Sequence, residues 1–490
     1  DGATSSAILV QFFSLIGINI PVYIPDRQKE GYGPNLPALM KLKYDGASVI
    51  ITVDCGTTAF ESLEAATEAG LKVIVIDHHM AEPRLPKGCL VINPNRFDET
   101  SKHGQLAAVG VTFLFITALN RALRKLNWFD KTFPEPNLMK FLGLVARGTI
   151  CDVVPLTGLN RALVSQGLRV LQMQENFGIT ALSEIANISE PLNCFHAGFL
   201  LGPRVNAGGR VGEANLGVRL LTTSNVNEAK ALALKLNEYN NERRDLEQTV
   251  FEQALMQAEQ QDKEQHTLIL VFGKNWHPGV IGIVAGRLRE HFNKPSCVVT
   301  QSGGMGKGSG RSVKGVDLGS AIIAARQVGI VCNGGGHSMA AGFTVSSNKL
   351  DTLKKFLQEH ILKQLKNVPL LPYLEFDSTI SLAAATPELI RMLDQVGPFG
   401  AGNPQPRFVI PQVQIVQANI VGKIHVKCTL RGSDGTRRLN AIAFRSLDTA
   451  LGKVLLNSQG YPLHVGGKLS LNNWRGSETV QMVIDDVAKV

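Results

Sequence analysis

The chain has 490 residues, 44% of them hydrophobic and 19% charged, which is too long for one hydrophobic core and leaves no compositional room for a long disordered tract. Fifty Lys and Arg against 41 Asp and Glu give a net charge of +9, a moderate excess that is compatible with a polyanionic partner without requiring one. Seven cysteines without a CxxC pair argue against a structural zinc or a disulfide framework and suit a reducing, cytoplasmic setting; no apolar run reaches the ~20 residues that span a bilayer, and no signal peptide opens the sequence.

Up to about residue 160, short β-branched runs alternate with helical stretches, the pattern of βα units around a parallel sheet. Strands are expected at 21–24, 48–53, 73–76 and 90–92, helices at 3–15, 59–69 and 111–126, and a helical region at 138–173. Residues 227–261 carry no Gly or Pro among their Ala, Leu, Glu, Gln, Lys and Arg, so one long helix should connect two domains. Beyond it, strands are expected at 267–272, 296–300 and 343–345, with glycine-rich loops at 303–310 and 334–336, and a second boundary near 369–372. In the run 423–430 apolar and polar residues alternate, placing Lys423, His425 and Lys427 on one face of a strand. Further strands at 468–471 and 479–484 would complete a small barrel. From residue 401 onward, eleven Lys and Arg face five acids, so this segment holds +6 of the net charge. A basic barrel suggests an OB-fold with a single nucleic-acid strand in a positive groove. The fold class is therefore α/β: a parallel-sheet domain over 1–224, a linker helix over 225–263, a second α/β domain over 264–370 and a C-terminal β-barrel over 371–490.

The apolar strand 73–76 runs directly into Asp77-His78-His79, and the strand 49–53 into Asp54-Cys55-Gly56. Both deliver acids to the carboxyl edge of the sheet, where open α/β folds bind ligands. Asp1-Gly2 opens a helix, and Asp152 follows one among apolar neighbours. Asp54 or Asp1 alone is more often a helix cap, and a lone Asp-His-His after a strand is about as often structural as chemical. Gathered and buried together they need a cation, and a set of carboxylates with one histidine suits Mn²⁺ or Mg²⁺ better than zinc. Two ions about 3.5–4 Å apart would activate a water and steady the leaving oxygen in an in-line attack on a phosphodiester. The stretches 308–311 and 334–337, with Ser309, Arg311 and His337, could cradle phosphate through backbone N–H groups, although glycine-rich turns are usually only turns. Arg27, Arg204 and Arg210 have surface ion pairs as their ordinary alternative. Tyr32 is a stacking platform or a turn aromatic, and Trp474 either stacks on a base, at roughly 1–3 kcal/mol, or closes the barrel core.

The blocks 1–5 (DGATS), 27–33 (RQKEGYG), 53–59 (VDCGTTA), 77–79 (DHH) and 148–156 (GTICDVVPL) resemble, in order, the motifs of RecJ-type members of the DHH phosphoesterase superfamily. Residues 202–210 (GPRVNAGGR), 308–312 (GSGRS) and 334–342 (GGGHSMAAG) resemble the rest of that family, including its DHHA1 domain, and 396–400 and 474–476 its barrel region. The likeness covers essentially the whole chain. It implies that Asp1, Asp54, His78 and Asp152 surround a divalent ion, Mn²⁺ or Mg²⁺, with Asp54 bridging to a second. It also implies that His79 faces the scissile phosphate with Asp77 beside it in the catalytic motif. Arg27, Tyr32, Arg204, Arg210, Ser309, Arg311 and His337 would surround the terminal 5′-phosphate and nearby backbone, and Lys423, Lys427 and Trp474 the strand behind it. Family members carry further acids upstream of the position matching Asp1. With the sequence opening inside that motif and without Met, one metal site is expected to be complete and the other to lack ligands. The implied activity is 5′→3′ exonuclease action on single-stranded DNA in recombination and repair, by a monomer, with single-strand-binding protein as a partner. Two alternatives stand beside it: a phosphodiesterase for short oligoribonucleotides or cyclic dinucleotides, whose chains stop after DHHA1, and a non-catalytic DNA-binding relative, which would have lost the acids retained here.

Overall fold

Three runs of β-branched residues form the first sheet: β1 (Val49–Val53), β2 (Lys72–Ile76) and β3 (Cys89–Ile92), parallel throughout and in the order β1-β2-β3. One face buries Ile50, Val73, Val75 and Val91 against Leu39, Leu63 and Ala66 of the helices Leu36–Tyr44 and Phe60–Glu68. The other presents Val49, Leu90 and Ile92 as exposed side chains. Because the strands run the same way, their carboxyl ends share one rim. The residues that follow them there are Asp54, Asp77 and Asn93. The computed structural model describes all residues except 27–29, 32, 174, 367–372, 433, 434, 436, 459, 475 and 476, together with the side chains of Asn473, Trp474 and Ser477.

Two expectations for this half need correction. Residues 21–24 form no strand: Pro21, Val22 and Tyr23 are exposed and no strand lies alongside among the described residues, and an extended segment becomes a strand only through ladder hydrogen bonds to a neighbour. The region 138–173 is not continuous helix but a 3₁₀ turn (Leu138–Phe141) followed by the helices Leu142–Cys151 and Gly158–Gln172. The break follows Asp152, where Val153 takes φ 62°, a costly conformation for a β-branched residue, and Pro155 lies just beyond. The helix Leu142–Cys151 packs closely on Gly2–Leu15 and Ala108–Lys125, since a Cβ on Gly148 would stand 2.3 Å from Thr4 Oγ1 and 2.7 Å from Val109.

The helix Val226–Lys263 starts at Asn225, whose side chain accepts from the N–H groups of Asn227 and Glu228. Its first half buries Leu232, Ala233 and Leu236, and its second half Val250, Ala254 and Ala258 against the second α/β sheet. That sheet comprises β4 (Ile269–Lys274), β5 (Ser296–Ser302), β6 (Met305–Arg311), β7 (Val331–His337) and β8 (Ala340–Ser346) in the order β4-β5-β6-β8-β7. Only β4 and β5 pair in parallel.

Here the expected glycine loops are strands. Gly306, Gly308 and Gly310 lie within β6 and Gly334–Gly336 within β7; of the stretch 303–310, only Gly303 and Gly304 form the turn, with φ 57° and 78°. The glycines serve packing: a Cβ on Gly308 would meet the Phe343 ring at 2.2 Å, and one on Gly310 would meet Leu318 at 2.6 Å. Gly308→Ala is therefore expected to destabilise by ~1–3 kcal/mol, the usual cost of overpacking, visible as a lower thermal midpoint; an unchanged midpoint would refute this packing role.

The chain divides into two compact units, Asp1–Asp152 with Gln166–Pro372, and Val153–Ser165 with Tyr373–Val490. In the second, β10 (Phe408–Val421), β11 (His425–Arg431), β12 (Arg438–Ala443), β13 (Pro462–Trp474) and β14 (Ser477–Lys489) pair in the cycle β10-β11-β12-β14-β13 and back to β10. The short β9 (Ser378–Thr379) adds to β10. Five strands closed this way, with the helix Ala450–Asn457 between the third and fourth, form the expected OB-type barrel. The segment 153–165 belongs to this unit through Leu156 N–H donating to Ala401 O (2.7 Å) and Arg161 Nε to Gly397 O (3.2 Å), an attachment the sequence reading did not foresee.

Candidate metal centre

At the rim of the parallel sheet the backbone turns sharply to aim the acids. Asp54 itself lies in the left-handed region (φ 60°), as does Gly56 (φ 116°). Asp77 is buried, and its carboxylate organises the turn: Oδ2 accepts from Thr57 N–H (3.0 Å), while Oδ1 accepts from His78 N–H (2.8 Å) and sits 2.7 Å from His79 Nδ1. Burial alone would raise the Asp77 pKa, but the His79 ring and the Thr57 N–H outweigh it and hold the carboxyl well below the usual range. Both oxygens are thus engaged by the turn, which makes Asp77 a positioning residue for His79.

Sequence reasoning missed two asparagines that complete this frame. Asn93 Nδ2 donates to His79 O (2.8 Å) and Thr57 Oγ1 (2.9 Å), and Asn95 Nδ2 to His78 O (2.6 Å). The signal was there: Asn93-Pro94-Asn95 follows the third strand as Asp54 and Asp77 follow the first two.

The other acids converge on His78. Its Nε2 lies 3.4 Å from Asp54 Oδ1, 3.5 Å from Asp152 Oδ2 and 3.8 Å from Asp1 Oδ2. Asp1 caps a foreign helix, its two oxygens accepting from Ala108 N–H (2.7 Å) and Val109 N–H (2.8 Å). Asp54 Oδ2 accepts from Gly2 N–H (2.9 Å) at the start of another. Helix N-termini stabilise anions there, which helps hold the carboxylates close together. Burial pushes the Asp152 carboxyl up, with the Asp54 charge adding to it.

This donor set fits a divalent cation. His78 Nε2 is buried and makes no hydrogen bond among the described residues. One ligand atom from each of Asp1, His78 and Asp152, and likewise of Asp54, His78 and His79, lies within 4.8 Å of the others. That spacing matches atoms sharing one ion at ~2.1 Å. Oxygen donors with imidazole are the chemistry of Mn²⁺ and Mg²⁺ sites.

The remaining candidates divide by location. The His79 and His337 rings lie 6.3 Å apart between centroids, so the end of β7 faces the cluster. Arg210 donates to Gly279 O (2.9 Å), just before the helix Ile281–Phe292. Against that helix lie Ser309 and Arg311, a Cβ on Gly282 coming within 2.9 Å of Ser309 Oγ and 3.1 Å of Arg311 Nη2. Arg311 donates to Ser309 Oγ and Gly310 O. Arg204 donates to Asn237 Oδ1 and Leu200 O. On the barrel, Lys427 is exposed on β11, whereas Lys423 sits in the preceding turn at φ 73°, so the shared strand face begins at His425. Beside it are two features the sequence reading passed over: Arg438 on β12, and Phe444, 56% exposed, with its ring 5.3 Å from that of His425. Arg27 and Tyr32 fall outside the described residues, as does the Trp474 side chain.

The chain matches the DHH family N-terminal domain over residues 1–149, the DHHA1 domain over 264–363 and the RecJ OB domain over 376–486. It is 35% identical over 497 residues to the single-stranded-DNA-specific exonuclease RecJ of Escherichia coli, a match that covers 99% of this chain and 85% of that protein. The chain belongs to the RecJ family. The RecJ of Bacillus subtilis is 33% identical over 494 residues, covering 100% of this chain and 60% of that one. The crystal structure of RecJ from Thermus thermophilus in complex with Mn²⁺ superposes with a TM-score of 0.82 at 29% identity, over 100% of this chain and 67% of that one. RecJ membership accounts for the α/β class and for the barrel after the second α/β sheet. Among the described residues no helix is long and apolar enough to cross a membrane, and all seven cysteines are free.

Proposed function

We propose that this chain hydrolyses single-stranded DNA from the 5′ end, releasing 5′-mononucleotides, in DNA recombination and repair. The observation that carries the reading is the convergence of Asp1, Asp54 and Asp152 on an unsatisfied His78 Nε2 at the strand rim. Asp54, His78 and Asp152, with Asp1 beside them, would hold Mn²⁺ or Mg²⁺, which when bound supplies activation of water and neutralisation of phosphate charge. Water attacks the phosphorus, the bond to the 3′-oxygen breaks, and that oxygen leaves with a proton. His79, its Nδ1 edge fixed on Asp77, presents its opposite edge to the phosphate. His337 approaches from the other side, and Arg210, Ser309 and Arg311 take the terminal 5′-phosphate. In this reading residues 1–224 are the catalytic domain, 225–263 the linker, 264–370 the DHHA1 domain and 371–490 the barrel that holds the strand. The chain acts as a cytoplasmic monomer, with single-strand-binding protein as its partner. The decisive assay compares 5′-labelled with 3′-labelled single strands with and without Mn²⁺: mononucleotide label should appear from the 5′ end only and only with metal, and early release from the 3′ end would reverse the polarity.

A phosphodiesterase confined to short oligoribonucleotides or cyclic dinucleotides would have no use for the basic barrel face. Replacing Lys427 and Arg438 by Gln is expected to flatten the log-affinity against log-salt slope for long single strands by about 1.4, roughly 0.7 per lost phosphate contact. An unaltered slope would remove the barrel from the binding path.

A further inference from the structure

The helix that touches the end of the Asp152-bearing helix carries an exposed aromatic pair. Residues His196–Leu201 make a π-helical stretch that runs directly into the helix Gly202–Val211, and π-turns are frequent at functional sites. It packs on the last turn before Asp152: a Cβ on Gly198 would contact Ile150 at 3.1 Å, one on Gly202 would contact Cys151 Sγ at 2.7 Å, and Cys151 Sγ donates to Ala197 O (3.5 Å). On the outer side, four residues apart, Phe195 and Phe199 are 57% and 72% exposed, stacked with centroids 5.5 Å apart and planes inclined by 23°. Two exposed rings stacked on each other make a contiguous apolar patch, the kind of surface feature that marks a binding site.

The surrounding charge says what kind of molecule would cover them. Arg204, one turn further along, donates to Asn237 Oδ1 and Leu200 O, neither of them charged. Burial and the charges of the neighbouring Arg244 and Arg243 push its guanidinium pKa down. Arg243 is paired with Glu247 (2.6 Å), whereas Arg244 is exposed and has no carboxylate partner among the described residues. Flat apolar faces beside uncompensated guanidinium groups are complementary to bases and phosphates of one unpaired strand, because every base has a π-face and successive phosphates recur along the backbone.

We propose that Phe195 and Phe199 form a base-stacking platform for single-stranded DNA next to the Asp152 end of the metal centre, with Arg204 and Arg244 taking phosphates of the same strand. The proposal rests on the single-stranded-DNA reading given above. It is tested by fluorescence anisotropy in EDTA, which prevents cleavage, using a labelled (dT)20 and an abasic strand of equal length. The double variant Phe195→Ala/Phe199→Ala should lose at least tenfold in affinity for (dT)20 and less than twofold for the abasic strand. Phe199→Trp should bind (dT)20 within twofold of the unaltered chain, and the emission it adds to that of the three native tryptophans, taken as the difference from the unaltered chain under the same additions, should be quenched by (dT)20 but not by the abasic strand. A double variant that binds (dT)20 normally, as it would if the pair received a protein segment instead, overturns the platform alone. So does an equal loss on both strands, or added emission from the Phe199→Trp variant that (dT)20 leaves unquenched. An unaltered chain that binds neither strand overturns the platform together with the nuclease reading.

Discussion

Asp54→Asn is expected to lower Mn²⁺-dependent hydrolysis of single-stranded DNA on the order of 10³-fold, the effect of removing several kcal/mol of charge stabilisation at a metal-assisted phosphate site. The substitution is informative because it is nearly isosteric. An Asn side-chain oxygen can still accept from Gly2 N–H, so the anchor that fixes the adjoining helix is kept while the negative charge facing His78 Nε2 is lost. The fold should therefore survive and Mn²⁺ binding should not. Calorimetric titration with Mn²⁺ alone gives a readout independent of turnover and should show a weakened or absent isotherm. A single-turnover rate within threefold of the unaltered chain would remove Asp54 from the metal centre.

Asp77→Asn should cost about 10–100-fold in rate, the range for residues that orient groups at a metal site without touching the substrate. Its carboxylate accepts from three backbone N–H groups, of Thr57, His78 and His79, and from the His79 ring at once. An amide replaces one acceptor by a donor and so sets an N–H against another N–H. The same contacts give a pH signature. Since the folded-state pKa of Asp77 is depressed, its contribution to stability is fully present above the unfolded value of about 3.9 and is lost as pH falls below that towards the folded value. The stability gap between the unaltered chain and the variant, read from urea midpoints, should narrow below about pH 4, stay level between about pH 5 and 6, and narrow again as pH rises through the titration of His79, whose pKa the Asp77 carboxylate raises. A gap that does not change between about pH 3 and 6 would mean that the carboxylate charge plays no part in the turn.

The candidate site was largely legible because its chemistry follows directly from chain direction. Hydrophobic β-branched runs ending in Asp54 and in Asp77-His78-His79 put those residues on one rim as soon as the strands are parallel, and β1 and β2 are. The capping roles of Asp1 and Asp54 towards helices far away in sequence were not legible, since which N–H group meets a carboxylate depends on how three helices pack around Gly148. Asn93 and Asn95 were overlooked because amides carry no charge and look like ordinary turn residues until the backbone they hold is known. The glycine stretches at 303–310 and 334–336 misled for a related reason. Glycine permits a loop, but it equally permits a strand against an aromatic ring, and only the position of Phe343 decides between them.

The amino-acid order by itself determined the succession of α/β sheet, long helix, second sheet and barrel, because periodicity and strand composition are local properties. It also determined which acids and imidazoles could meet, because Asp54, Asp77-His78-His79 and Asp152 each follow an apolar element and Asp1 opens one. The tertiary structure alone decided that His78 Nε2 has three carboxylates within 3.8 Å, that Asp77 faces the turn, that 153–165 joins the barrel unit and that Phe195 and Phe199 stand exposed. Each depends at least in part on packing between residues distant in sequence, as the Asp77 turn does through Thr57, and such packing leaves no local trace in the chain.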